Sequence, residues 1–224
     1  MAPRSDAADP ADFTLDEVRA LLAPLIADEA AFDGWSAAAV ENAANRAGVA
    51  PAVARLAFKD GAMEMIAAWI GTIDVAMAEA LPAEALAAMK IRERIRALVQ
   101  FRLDRMAGRE EALRRAQAVM ALPQNAGRSL KLGWHSADLM WRLAGDTATD
   151  YNYYTKRTIL AGIYLATLAA FIADQSEGKA ETRAFLDRRI EGVMRFEQAK
   201  AKLLAPREGF SVTRFLGRLR YPAR

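Results

Sequence analysis

Between Arg157 and Asp174 the chain carries no charged residue. The intervening run, TILAGIYLATLAAFIA, has few physical options. It is slightly short of the about 20 apolar residues that a bilayer-crossing helix needs. Its alanine and leucine content favours helix over strand. A helix that is apolar all round requires neighbours on every side, so the expectation is a buried central helix inside a helical shell. Gly145 predicts the end of the preceding helix, because glycine commonly closes one. Asp146, Thr147, Thr149 and Asp150 can all accept bonds from the free amides of a new helix, which places an N-cap near Asp150.

The remainder of the chain can supply such a shell. Apolar residues make up 53% of its 224 positions, β-branched runs are missing, and glycine is sparse within the periodic stretches. The fold class read from this is all-α. No cysteine is present, which excludes disulfides, thiolate catalysis and thiolate metal sites. The single histidine, His135, makes no metal cluster. Net charge is +3, too small an excess to imply nucleic acid by itself. The opening residues, MAPRSDAADPADF, are acidic and lack both an apolar secretory core and an arginine-rich transit pattern. The expected setting is the bacterial cytoplasm, or a mature chain after its presequence.

Thr14 and Glu17 have capping-box spacing and start a helix whose Val18, Leu21, Leu22 and Leu25 share a face; Pro24 is expected to kink or shorten it. Ser36 caps a second helix that Gly48 ends. Pro51 suits the first turn of a third, through Phe58. After Asp60-Gly61 a fourth helix follows with Met63, Ile66, Trp69, Ile70 and Ile73 inward. Short helices joined by a tight turn suggest a helix-turn-helix head over residues 13–80, similar to the head of TetR-type regulators. Its third helix, PAVARLAF, offers only Arg55 to a base edge, where readers bring several groups. A regulator that binds DNA is therefore the alternative reading, and the expectation is no nucleic-acid partner. Residues 81–205 read as a helical bundle. The arginines at 92, 94, 96, 102 and 105 are expected on a solvated face. Residues 1–12 are read as a tail, and 206–224 as a linker with a basic amphipathic segment.

No phosphate-cradling glycine loop, nucleophile elbow or HExxH pair occurs. Acidic residues sit mostly beside arginines, as surface pairs do. The expectation is a protein that is not an enzyme, with no cofactor and no metal.

One block is more specific. Asp138, Trp141, Ala144-Gly145-Asp146, Thr149-Asp150, Asn152, Tyr154-Thr155-Lys156-Arg157, Leu160-Ala161, Ile163-Tyr164 and Asp174-Gln175-Ser176 resemble the lipid-binding accessory family of coenzyme Q (ubiquinone) biosynthesis. Gly34-Trp35 and Leu122-Pro123-Gln124-Asn125 fit as well, and Tyr153 stands where that family usually has tryptophan. The resemblance implies a TetR-like bundle without DNA binding and a homodimer. It also implies an apolar cavity for isoprenoid or quinone lipid, a membrane-contacting C-terminal amphipathic helix, and a partner hydroxylase of the same pathway. The location it implies is peripheral, on the inner membrane. Candidate lipid-binding residues are Phe101, Met120, Trp134, Leu160, Ile163, Tyr164, Thr167 and Phe171, which would equally serve as plain core. Candidate partner-binding residues are Met140, Leu143, Asp150, Tyr153 and Tyr154, gathered about Gly145; burial in the monomer is the competing reading.

The last fifteen residues read FSVTRFLGRLRYPAR. On a helix, Val212, Phe215, Leu216 and Leu219 share one side, while Arg214, Arg218 and Arg220 crowd toward the other. With Phe210, these form the candidate membrane contact, since short basic amphipathic segments lie in a membrane interface rather than span it. Docking on the protein's own surface is the other reading. Each arginine near an anionic surface adds about 1 kcal/mol. Removing residues 207–224 is expected to cut binding to anionic liposomes in a flotation assay while the thermal transition stays nearly unchanged. Equal flotation of the truncated and full chains would show that the tail is not the anchor.

Overall fold

The computed structural model describes residues 12–149 and 151–204, except the side chains of residues 151 and 196–204. Among the described residues, ten α-helices account for the secondary structure, apart from short 3-10 turns. They are α1 (Leu15–Asp33), α2 (Ala37–Ala47), α3 (Pro51–Ala57), α4 (Ala62–Ala80), α5 (Ala83–Ala87), α6 (Ile91–Met106), α7 (Glu110–Met120), α8 (Ala126–Leu143), α9 (Tyr151–Ala173) and α10 (Ala180–Leu204). Among the described residues there is no strand.

Local chemistry accounts for most boundaries. Thr14 and Glu17 form the reciprocal capping box at the start of α1. The helix then continues through Pro24 to Asp33 rather than stopping there. Ser36 caps α2 by accepting from the Ala39 amide. Gly48 ends α2 in the left-handed region, at φ 70° and ψ 19°, with its amide donating to Ala44 and Asn45. A β-carbon makes that conformation costly, which is why glycine closes helices this way.

The head and body share one core. Helix α1 packs on α2, α3, α4 and α7. The Trp35 indole donates to the Ala112 carbonyl of α7 at 3.0 Å and lies 5.5 Å from the Trp69 ring of α4. Arg109 Nε reaches Asp28 Oδ1 across the same seam at 2.6 Å. Of the described residues, those through Asp187 form one compact unit, and those from Arg188 form a second.

The position of α9 corrects the expectation of a helix surrounded on all sides. It packs on α8, α7 and α6. Leu160, Tyr164, Thr167, Leu168 and Phe171 are buried, but Thr158, Gly162, Leu165, Ala169 and Ala173 are exposed. Their spacing of three or four places them along one stripe. Asn152–Ala173 is long and apolar enough to cross a membrane by length and composition, with 39% of its most apolar window buried in the fold. Helix α4 sits deeper, meeting α1, α6, α7 and α8.

A second correction concerns α6. Its Arg102 is fully buried, not solvated, while Ile95, Leu98, Val99, Leu103 and Met106 fill the core around it.

Candidate functional site

The motif around Gly145 is a polar latch between α8 and α9. Gly145 has φ 87°, and a β-carbon there would lie 3.1 Å from Arg94 Nη1. That guanidinium donates to the Ala144 carbonyl at 2.7 Å, satisfying an orphan acceptor at the α8 C-terminus. Arg157, one turn and a half into α9, has a side chain only 1% exposed. Its Nε donates to Asp138 Oδ1 at 2.6 Å, and its Nη1 to Asp146 Oδ2 at 2.9 Å and to the Tyr153 carbonyl at 3.1 Å. The guanidinium also stacks 3.4 Å from the centre of the Tyr153 ring. Lys156 Nζ donates to Asp146 Oδ1 at 2.6 Å, and the Trp141 indole donates to the Lys156 carbonyl at 3.0 Å. Asp146 therefore clamps two cations of α9, where the sequence suggested a simple helix cap. Asp150, the other expected cap, lies outside the described residues.

Burial alone would raise the Asp146 and Asp138 pKa values. Hydrogen bonds from Lys156 and Arg157 to the first, and from Arg157 and Tyr153 to the second, reverse this and hold both carboxyls below the ordinary aspartate value. At the far end of α9, Asp174 accepts from the amide and hydroxyl of both Ser176 and Thr182 at 2.6–2.8 Å. Those bonds depress its pKa strongly and tie α9 to the start of α10.

An aromatic surface lies beside the latch. Trp134, Tyr153 and Tyr154 form a cluster with ring centres 5.1–6.3 Å apart. Tyr154 is 61% exposed, and Leu143 is partly exposed. Met140 departs from the surface reading: it is 0% exposed, because it lies on the α8 face turned into the core. Met140 is unavailable to a partner in this structure.

The third feature is a cavity of about 50 Å³ among α4, α6, α7, α8 and α9. Of the eight candidate lipid residues, Met120 and Tyr164 line it. Trp134 belongs to the aromatic cluster, Phe101 lies under Arg105, and the Thr167 hydroxyl donates to the Ile163 carbonyl. Leu160 and Phe171 pack in the core. The walls are otherwise Ile66, Trp69, Ile70, Met106, Leu113, Ala116, Gln117, Leu132, Gly133, Ala161, Leu165 and Leu168, with Arg102 and Ser136. Leu165 is 51% exposed, so the wall reaches the surface. Sequence reading missed Arg102. It donates Nε to Tyr164 Oη and Nη2 to Ser136 Oγ, both at 3.0 Å, and Nη1 to the Asp74 carboxylate. Burial would lower its pKa, but Tyr164 and Asp74 more than reverse that and raise it above the ordinary value. The available signal was its spacing, three residues from Val99 and four from Leu98 and Met106, which puts it on the apolar face of α6, although its partner Asp74 was not legible. Among the described residues, no group of His, Cys, Asp or Glu is arranged to hold a metal ion.

Residues 126–197, which contain the latch, the aromatic cluster and part of the cavity wall, match the family model COQ9. The chain is a relative of COQ9. It is 33% identical over 168 residues to "Ubiquinone biosynthesis protein COQ9, mitochondrial" of Rattus norvegicus, covering 72% of this chain and 54% of that protein. The protein of the same name from Homo sapiens is 32% identical over 168 residues, covering 72% and 52%. The chain thus spans about half the length of these COQ9 relatives. In fold it is similar to a TetR transcriptional regulator from Nitrosomonas europaea, with a TM-score of 0.64, 22% identity, and coverage of 78% of this chain and 97% of that one. The bundle is TetR-like; at that identity the likeness is one of fold alone. On the third helix of the head, Arg55 is paired with Glu41 at 2.9 Å, and Leu56 is 55% exposed.

The latch of this COQ9-related segment has a defined pH signature. A carboxyl whose folded pKa is depressed contributes stability that is fully present above its unfolded value and lost as pH falls through the folded value. The ordinary aspartate value is 3.8, so the loss falls below about pH 4. Asp146→Asn is expected to be less stable than the parent at neutral pH. Its melting temperature should also drop less steeply between about pH 4 and pH 2, as followed by circular dichroism. Identical slopes for the two proteins would remove Asp146 from the latch.

Proposed function

We propose that this protein is a non-catalytic accessory factor of ubiquinone biosynthesis. It binds an isoprenoid or quinone lipid at a membrane surface and presents it to a partner hydroxylase. The observation that carries this reading is the cavity beside α9, largely apolar in its lining and bordering the COQ9-matched segment. Apolar pockets with a few convergent polar groups are the usual form of a small-molecule site. The cavity is too small for a whole prenyl chain. The exposed stripe of α9 through Gly162, Leu165 and Ala169 offers an apolar path for the remainder, and equally a face for a second copy of the chain.

For the hydroxylase, the aromatic cluster is the supporting feature. Exposed aromatic anchors on a rigid helix junction make effective contact centres. Tyr154 is the most open of them, Tyr153 and Trp134 hold its ring in place, and Leu143 extends the apolar rim. The latch beneath shares Tyr153 with this surface and so fixes it.

Two measurements test the reading. Mass spectrometry of lipid extracted from the purified protein is expected to find an isoprenoid or quinone species. Ala161→Trp, which puts an indole into the cavity wall, should reduce that load by at least about tenfold. A lipid-free parent protein, or an unchanged load, would overturn lipid carriage. Separately, Tyr154→Ala is expected to weaken association with the pathway's hydroxylase by about tenfold or more without moving the thermal transition. Unaltered affinity by calorimetry would place the docking surface elsewhere.

A further inference from the structure

The inner wall of the cavity has a chemical bias. Arg102 of α6 is 0% exposed, Ser136 of α8 is 2% exposed and Tyr164 of α9 is 5% exposed, and all three line the cavity. Arg102 donates to both hydroxyl oxygens and to Asp74. Tyr164 and Ser136 thus use their oxygens as acceptors. Each hydroxyl still has its own proton, which goes to no acceptor among the described residues. A guanidinium has five N–H donors, and the contacts just named engage three. Every buried side-chain nitrogen and oxygen among the described residues nonetheless has at least one partner. The cluster therefore stands without a ligand, and its spare capacity lies in donor protons.

Charge narrows the ligand further. Asp74, 6% exposed, already neutralises Arg102. No second cation lines the cavity, so a carboxylate or phosphate placed there would be left without a counter-ion in an apolar surround. An uncharged oxygen can accept the uncommitted protons without that cost. Ile66, Ile70, Met106, Leu132 and Leu168 leave the remaining wall to hydrocarbon.

We propose that the Arg102–Tyr164–Ser136 wall recognises the head of the bound lipid, and that this head carries an uncharged acceptor oxygen of the carbonyl or ether class, not an anion. The proposal rests on the lipid-binding reading above and specifies which end of the ligand points inward: the oxygenated head enters, and the tail leaves past Leu165.

The test uses the delipidated full chain and three probes of similar length: 2-tridecanone, tridecane and dodecanoate. Competitive displacement should show 2-tridecanone binding about tenfold more tightly than either of the others. Tyr164→Phe and Ser136→Ala should each lower ketone affinity by roughly threefold to tenfold and leave tridecane unchanged. Because a loss of stability in either variant would mimic a loss of affinity, the parent protein supplies an independent readout. The carbonyl stretch of carbon-13-labelled 2-tridecanone should move to lower wavenumber on binding relative to hexane. Head-independent binding of all three probes, or an unshifted stretch, would overturn head recognition while leaving lipid carriage standing. Tightest binding of dodecanoate would overturn the uncharged head. Failure of all three to bind would overturn both.

Discussion

Arg157 sets the geometry on which the α8–α9 half of the molecule depends. Taking a guanidinium out of water costs several kcal/mol, which only excellent geometry offsets. Here two carboxylates, a backbone carbonyl and an aromatic face all converge on one side chain. Meeting that demand requires Asp138 on the last turns of α8, Asp146 just past Gly145, and Arg157 in the second turn of α9. Removing one partner from such a buried arrangement characteristically costs about 3–5 kcal/mol, so the helices cannot slide past each other by a turn without unfolding locally. The aromatic cluster is a by-product of this rigidity. Tyr153 is held under the guanidinium, and Tyr154, the next residue, is directed outward.

Arg102 repeats the logic one layer deeper, with a different outcome. Its charge is balanced by a single buried partner, Asp74, while its remaining contacts are neutral hydroxyls. Each guanidinium donates three hydrogen bonds in these contacts. The two differ in setting: Arg157 joins α8 to α9 beneath the aromatic cluster, and Arg102 lies on the wall of the cavity. A polar group between helices sets their register, whereas one on a cavity wall can orient a ligand.

The fold likeness and the family match point in different directions, and the residues explain why. A helix-turn-helix head survives as architecture in α1 to α4, with caps and turns intact. On α3, however, the one guanidinium that could approach a phosphate is paired within the protein, and leucine occupies the exposed position beside it. Reading of DNA rests on several such groups acting together, whereas packing of Trp35 on α4 within the head, and of the head against α7, needs only the indole and its neighbours. The matched segment 126–197 lies wholly outside that head.

The amino-acid sequence by itself determined the helices. Capping at Thr14 and Ser36, closure at Gly48 and Gly145, and the break at Asp60-Gly61 are local events decided by residues within one turn of each other, so they were legible without the fold. The family block was legible for the same reason, as a contiguous string. Tertiary structure alone decided which faces those helices turned toward one another. Arg102 looked like its solvated neighbours on α6 because helical spacing does not reveal an Asp74 waiting on α4. Met140 looked like a surface anchor because an apolar residue three positions from Leu143 reads the same on either side of a helix. The apolar run of α9 implied enclosure, but enclosure depends on how many helices arrive, and one stripe of α9 stays exposed among the described residues. Burial and charge pairing are properties of contacts distant in sequence, and only the assembled bundle fixes them.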